Sequence, residues 1–153
     1  MRATAAAALG LCLTGGAQAG EAQVSGFVTY SIKPLASTPA AGGSKLGKVH
    51  LKGVMVSNDP AHSLHLATQD CLGSSLDNAD GSPIDSYGTC VATDKDGDVW
   101  WLVYHNGVGE RTWTVLGGTG KYEGVSGGGT SEWLLGTGDG RAVVGYAGKM
   151  FTK

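Results

Sequence analysis

Apolar and polar residues alternate with a period of two through most of the chain, in short runs bounded by Gly, Asn, Asp and Pro. That period sets successive side chains on opposite faces of an extended backbone, so each run predicts a β-strand with one buried face. Val24–Ile32 is the first, with Val24, Val28, Tyr30 and Ile32 on one face. The Pro/Ala/Gly/Ser-rich stretch Lys33–Lys45 predicts a mobile loop. Strands are expected over Val49–Val56 and Ser63–Gln69, the latter with Leu64 and Leu66 turned inward. Leu72–Thr89 is polar, lacks a strand pattern and reads as an irregular excursion. Further strands follow at Thr89–Thr93, Asp98–His105, Glu110–Leu116, Thr130–Leu135 and Ala142–Phe151. Asp96-Gly97 and Asn106-Gly107 are hairpin steps between neighbouring runs.

Past residue 19 no helical period interrupts these runs, so the fold class is all-β. Sequential antiparallel strands joined by tight turns predict a small up-and-down β-barrel of about eight strands, with a two-sheet sandwich as the alternative. An open sheet of that width would leave two exposed edges, and closure removes both. Gly26, Gly53, Gly124 and Gly145, set within strand patterns, supply the coiling and bulges of a tight barrel.

The first nineteen residues follow a different rule. Met1-Arg2 precedes an apolar, small-residue run from Ala3 to Leu13, and Ala17-Gln18-Ala19 offers a small-x-small cleavage site. Together these predict a secretory signal peptide cut after Ala19, leaving residues 20–153 as a single barrel domain, secreted or periplasmic. Leu11 before Cys12 does not suit lipoprotein processing, which calls for a small residue there. Removing the leader also removes Cys12 and leaves Cys71 and Cys90, an even pair that predicts a disulfide in an exported protein.

Composition narrows the partners. A formal charge of −2 argues against a nucleic-acid binder, and no apolar run reaches the ~18 residues of a transmembrane segment. The 27 glycines are about two and a half times the usual share, and twelve of them fall between Gly117 and Gly148. The densest string is Gly117-Gly118-Thr119-Gly120-Lys121-Tyr122-Glu123-Gly124-Val125-Ser126-Gly127. Gly117, Gly118, Gly120, Gly124 and Gly127 serve as structural turn residues there, with Tyr122 and Val125 expected on opposite faces. Ser126-Gly127-Gly128-Gly129 could not open a helix, which removes the phosphate-cradle reading of such a string.

This string, with the acidic turn, the Trp-rich strand and the last two strands in order over Asp94–Phe151, resembles the allene oxide cyclase-like and dirigent-like (calycin-type) barrels. The resemblance implies the barrel fold and a homotrimer. It carries over no catalytic residue, because the catalytic residues of those cyclases and radical-coupling proteins match no position here, and fold alone does not establish chemistry.

Asp94, Asp96 and Asp98 alternate, but Gly97 and the missing twelfth-position Glu depart from a calcium loop, so a solvated hairpin turn is expected. His62 and His65 at i, i+3 would diverge on a strand, and no metal or cofactor is expected. Glu123 and Glu132 are expected to contact solvent. Trp100, Trp101, Tyr104, Trp113, Trp133 and Tyr146 all fall in strands of the second half. Trp101 shares a face with Val103 and His105, and Trp100 with Leu102 and Tyr104, so one face fills the barrel and the other needs a cover. Trp101, His105, Trp113 and Tyr146 are the candidate ligand-binding residues, His105 also being the candidate for proton transfer. Three functions remain: a barrel binding a small apolar or aromatic ligand, a structural protein with a side-chain-filled barrel, and a cyclase- or isomerase-type enzyme.

Overall fold

A computed structural model describes residues 20–153; the expected signal peptide, 1–19, lies outside the described residues. Eight strands run in order: β1 (Gly20–Pro39), β2 (Lys45–Ser57), β3 (Thr68–Asp77), β4 (Pro83–Thr93), β5 (Val99–Asn106), β6 (Arg111–Gly118), β7 (Ser126–Gly136) and β8 (Arg141–Thr152). Each pairs antiparallel with its sequence neighbour, and β8 returns to β1, so the sheet closes as a barrel. The fold class read from the alternation is therefore the one observed. Among the described residues, no helix is long and apolar enough to cross a membrane.

Three segments differ from the sequence reading. Lys33–Lys45 is largely strand: β1 continues to Pro39 and pairs with β2 back to Lys45. Its pairing with β8 stops at Ser31, so Lys33–Pro39 is partnered on one side only. Lys33, Pro34 and Pro39 on that free edge discourage pairing with another chain, which is why the composition mimics a loop. Ser63–Leu66 is turn, not strand; Leu64 is buried whereas Leu66 is 59% exposed at a positive φ of 62°. Leu72–Thr89 is no irregular excursion but the β3–β4 hairpin, in which Cys71 pairs directly with Cys90 and the two form a disulfide. Small and polar residues hid this hairpin because Gly73, Ser75, Ser86 and Gly88 occupy its inward positions.

The core lies at one end of the barrel. Val24, Val28, Met55, Leu64, Trp100, Val115, Tyr122, Val125 and Met150 are buried there around the disulfide. Tyr122 and Val125, expected on opposite faces, are both buried, because Gly120–Tyr122 winds into one 3₁₀ turn and breaks the strand alternation. Tyr122 tilts against Trp100 with ring centroids 4.7 Å apart. Gly118 and Gly120 permit this turn for different reasons. A Cβ at Gly118 would stand 2.4 Å from that of Tyr122, and Gly120 holds φ +55° with Asp98 Oδ1 1.9 Å from where its Cβ would be.

The acidic turn seals the same end and is not freely solvated. The Asp94 side chain is fully buried, and it accepts hydrogen bonds from the Tyr122 hydroxyl (3.0 Å) and the backbone N–H groups of Asp96 and Asp98 (2.9 and 3.1 Å). Lys121 Nζ lies 2.7 Å from Asp94 and 2.5 Å from Asp96. Burial opposes ionisation of Asp94, but these bonds outweigh it and hold its carboxyl below the usual range. Burial, with the Asp94 contact, also pushes the Tyr122 hydroxyl up to about 12. The three aspartates thus fasten the β4–β5 turn to the glycine-rich connection.

Candidate functional site

The interior above this sealed end is hollow. A cavity of about 1120 Å³ runs up the barrel axis and reaches the turns at Gly81 and Gly107–Glu110, where it opens. Its deep wall is aliphatic and sulfur-bearing: Val28, Leu51, Met55, Leu64, Met150 and the Cys71–Cys90 disulfide. Aromatic rings line the rest, from Tyr30, Trp100, Tyr104, Trp113, Trp133 and Tyr146.

Glycines explain how so many rings leave room. Tyr104 lies flat across β3 and β4: a Cβ at Gly88 would stand 2.7 Å from its ring, and one at Gly73 2.0 Å from its hydroxyl. Trp113 lies across β7 and β8 in the same way, with Cζ2 2.8 Å from a Cβ at Gly129 and 2.7 Å from one at Gly148. Its indole N–H donates to the Thr130 carbonyl at 3.0 Å, which holds the ring against the wall. At Gly73 a larger residue would lift the Tyr104 ring into the lumen, whereas at Gly88, Gly129 and Gly148 the Cβ would also meet a backbone carbonyl oxygen, at 2.5, 2.0 and 2.3 Å.

Four sequence candidates divide into two pairs. Trp113 and Tyr146 line the cavity. Trp101 and His105 do not; both fall on the outer face of β5, and Trp100, Leu102 and Tyr104 point inward instead. The choice between those faces of an all-apolar strand depends on register, and β5 sits opposite a bulge in its pairing with β6 between Trp101 and Leu102. Trp101 packs over Gly117 on the outside, where a Cβ would stand 3.2 Å from its ring. His105 Nε2 lies 2.9 Å from Asp85 Oδ1, and His50 Nε2 lies 2.5 Å from Asp70 Oδ1, both as exterior pairs. His62 is in a turn, with its Nδ1 accepting the Leu64 N–H at 3.2 Å. Among the described residues, no three His, Cys, Asp or Glu side chains gather as a metal site.

Tyr30, Gln69 and Tyr104 are the polar groups deep in the cavity that sequence reasoning passed over. The Tyr30 hydroxyl donates to Gln69 Oε1, and Gln69 Nε2 donates to the Met55 sulfur at 3.2 Å. Gln69 is buried at 5% exposure. Burial, reinforced by the neighbouring Tyr104, pushes the Tyr30 hydroxyl far up, and burial pushes Tyr104 and Tyr146 up as well. These phenols are therefore neutral donors at physiological pH. The signal that could have found Gln69 is its place on β3 two residues before Cys71, facing inward with the disulfide. The charged residues of the lining, Asp77, Glu110 and Arg111, stand at the open end.

Neither a protein-family model nor a curated protein sequence matches this chain. Solved structures do. The pterocarpan synthase dirigent protein PsPTS1 superposes with a TM-score of 0.62 at 14% identity, over 89% of this chain and 96% of that one. The corresponding values for the pterocarpan synthase dirigent protein GePTS1 are 0.62, 12%, 96% and 99%. The closed eight-stranded antiparallel barrel of this chain therefore has a dirigent-like fold.

Proposed function

We propose that this protein is an exported binding barrel that takes one small apolar or aromatic ligand into its lumen. The observation that carries this reading is the hollow, aromatic-walled interior of about 1120 Å³, open at one end and sealed at the other. It favours binding over a structural barrel, whose interior side chains would fill that space. It also favours binding over acid–base catalysis of the cyclase or isomerase type, because the deep ionisable groups are phenols raised by burial, not groups poised near neutrality. Trp100, Tyr104, Trp113 and Tyr146 are the proposed wall contacts. The allene oxide cyclase-like side of the resemblance is kept as a proposal about ancestry alone.

Fluorescence titration of residues 20–153 tests the reading. Saturable quenching by an apolar aromatic ligand should weaken in Trp113→Leu and persist in Trp101→Leu. A panel of apolar ligands that leaves the emission unchanged would sink the proposal. Export rests on the leader and the disulfide, and a mature protein beginning at Gly20 by mass spectrometry is the expected result. Assembly into a trimer is proposed for the outer face of β3–β5, where Leu72, Val91 and Val103 are exposed around Trp101. Light scattering should then show three copies, reduced to one by Val91→Asp.

A further inference from the structure

Two polar groups on the cavity wall are incompletely hydrogen-bonded: the Tyr146 hydroxyl, which has no partner among the described residues, and the Gln69 amide, which is the deeper pair of donors. Gln69 carries two amide hydrogens and sits 5% exposed on the cavity wall. The Tyr30 hydroxyl donates to Gln69 Oε1 and so orients the amide with its nitrogen turned away from Tyr30. The acceptor that nitrogen meets is the Met55 sulfur, at 3.2 Å. A thioether accepts weakly, so a buried N–H pair is left with much less than it would find in water. The Tyr104 hydroxyl lies nearby, against Gly73 on the same wall, and is a second neutral donor. No charged side chain lines the cavity at this depth; Asp77, Glu110 and Arg111 are at the mouth.

We infer that the ligand is a neutral, largely apolar molecule bearing a hydrogen-bond-accepting oxygen, a ketone or related carbonyl, received by the Gln69 amide. This rests on the proposed binding function and specifies what the lumen selects. An apolar hydrocarbon would leave the amide with sulfur alone. A carboxylate would lose its hydration with no cation to receive it. A carbonyl oxygen is accommodated by exchanging a weak acceptor for a strong one. Tyr30 is a positioning residue here: it orients the amide and does not itself meet the ligand oxygen.

Fluorene and 9-fluorenone, alike in shape and differing by one carbonyl, are suitable probes in equilibrium dialysis against residues 20–153. Fluorenone should bind the wild type more tightly than fluorene, and Gln69→Leu should reduce that ratio about five- to tenfold, the usual worth of one hydrogen bond. In Tyr30→Phe the amide is free to turn its oxygen to the lumen. The fluorenone preference should then fall, and preference for 9-fluorenol, a donor, should rise. Near-UV circular dichroism establishes that each variant retains its packed aromatics. If either variant loses that signal, the wild-type ratio and the other variant decide. Equal affinity for the two probes, or a ketone preference unchanged in the folded variants, overturns the inference while leaving the binding function standing. Failure of both probes and of the wider panel overturns the binding function itself.

Discussion

Alanine at position 73 is expected to dislodge Tyr104 from the cavity wall, and the size of the effect follows from three distances. A Cβ there would stand 2.0 Å from the Tyr104 hydroxyl oxygen, and 3.2 Å from both Tyr104 Cζ and the Tyr87 carbonyl oxygen. The two longer contacts relax with shifts of a few tenths of an ångström, whereas the first cannot, so the ring must swing into the lumen. Overpacking of this kind costs about 1–3 kcal/mol. Replacing a strand glycine by alanine recovers about 0.5–1 kcal/mol, through the lower entropy of the unfolded chain. Gly73→Ala should therefore destabilise the protein by up to about 2.5 kcal/mol, with a central value of about 1 kcal/mol. Tyr104→Phe deletes the one impossible contact, so in that background the same alanine should be neutral or stabilising by up to about 1 kcal/mol. Urea midpoints of the four proteins, followed by tryptophan emission, close the double-mutant cycle, with an expected coupling of about 1–3 kcal/mol. Additive effects, or a Gly73→Ala protein as stable as wild type with ligand affinity unchanged, would refute the account of rings laid on glycine.

Acid should loosen the sealed end. Lys121, then Lys95, holds the Asp96 carboxyl at about 2, and Asp94 is also lowered, so both contribute stability above about pH 4 that is lost as pH falls toward 2. Urea midpoints across that window should decline less steeply in Lys121→Met; an unchanged slope would separate the cluster from acid stability. Reducing the Cys71–Cys90 bridge, which spans a sequence separation of 19, should cost about 3 kcal/mol by the chain-entropy estimate. Alkylation of unreduced protein should leave both cysteines unmodified, and labelling of both would end that claim. Hydrogen exchange should be fastest along the β6–β7 seam, which is paired only from Thr112–Val115 to Thr130–Gly127, whereas β1 and β8 pair from Gly20 to Ser31. Slower exchange there than along β1–β8 would contradict the register.

The barrel was legible because a period of two survives wherever one face is buried. Val24, Val28 and Ile32 kept that period, and so did β6 around Trp113 and Val115. It failed where the inward positions are small or polar. β3 and β4 turn Gln69, Gly73, Ser75, Ser86 and Gly88 into the barrel, a pattern that no hydropathy rule reads as a strand interior. β1 beyond Ile32 failed for another reason: with β2 on one side only, it carries the Lys and Pro residues of an edge. The site was half legible for a third reason. Trp113 has a polar neighbour on either side, so its inward direction follows from alternation. Trp100 and Trp101 are adjacent on a strand apolar on both faces, where local sequence carries no preference, and the structure chose Trp100.

The small inward positions of β3 and β4 bear on function. A barrel of eight strands either fills its interior with side chains or holds one small ligand there. Here the positions that would supply large residues from β3, β4, β7 and β8 carry glycine, at Gly73, Gly88, Gly129 and Gly148. Tyr104 and Trp113 from the intervening strands lie down on them. The rings thus contribute apolar wall without contributing bulk to the lumen, and the volume they vacate is the cavity. Larger side chains there would collide with the rings, and at Gly88, Gly129 and Gly148 also with backbone carbonyl oxygens 2.5, 2.0 and 2.3 Å from the Cβ, so these glycines set the close approach of the strands as well as the room in the lumen. Glycine also makes each strand weaker on its own account, by roughly 0.5–1 kcal/mol per residue relative to alanine. Four such residues under two aromatic rings therefore serve both the close approach of the strands and the lumen, and the space they leave is the one in which we place the ligand.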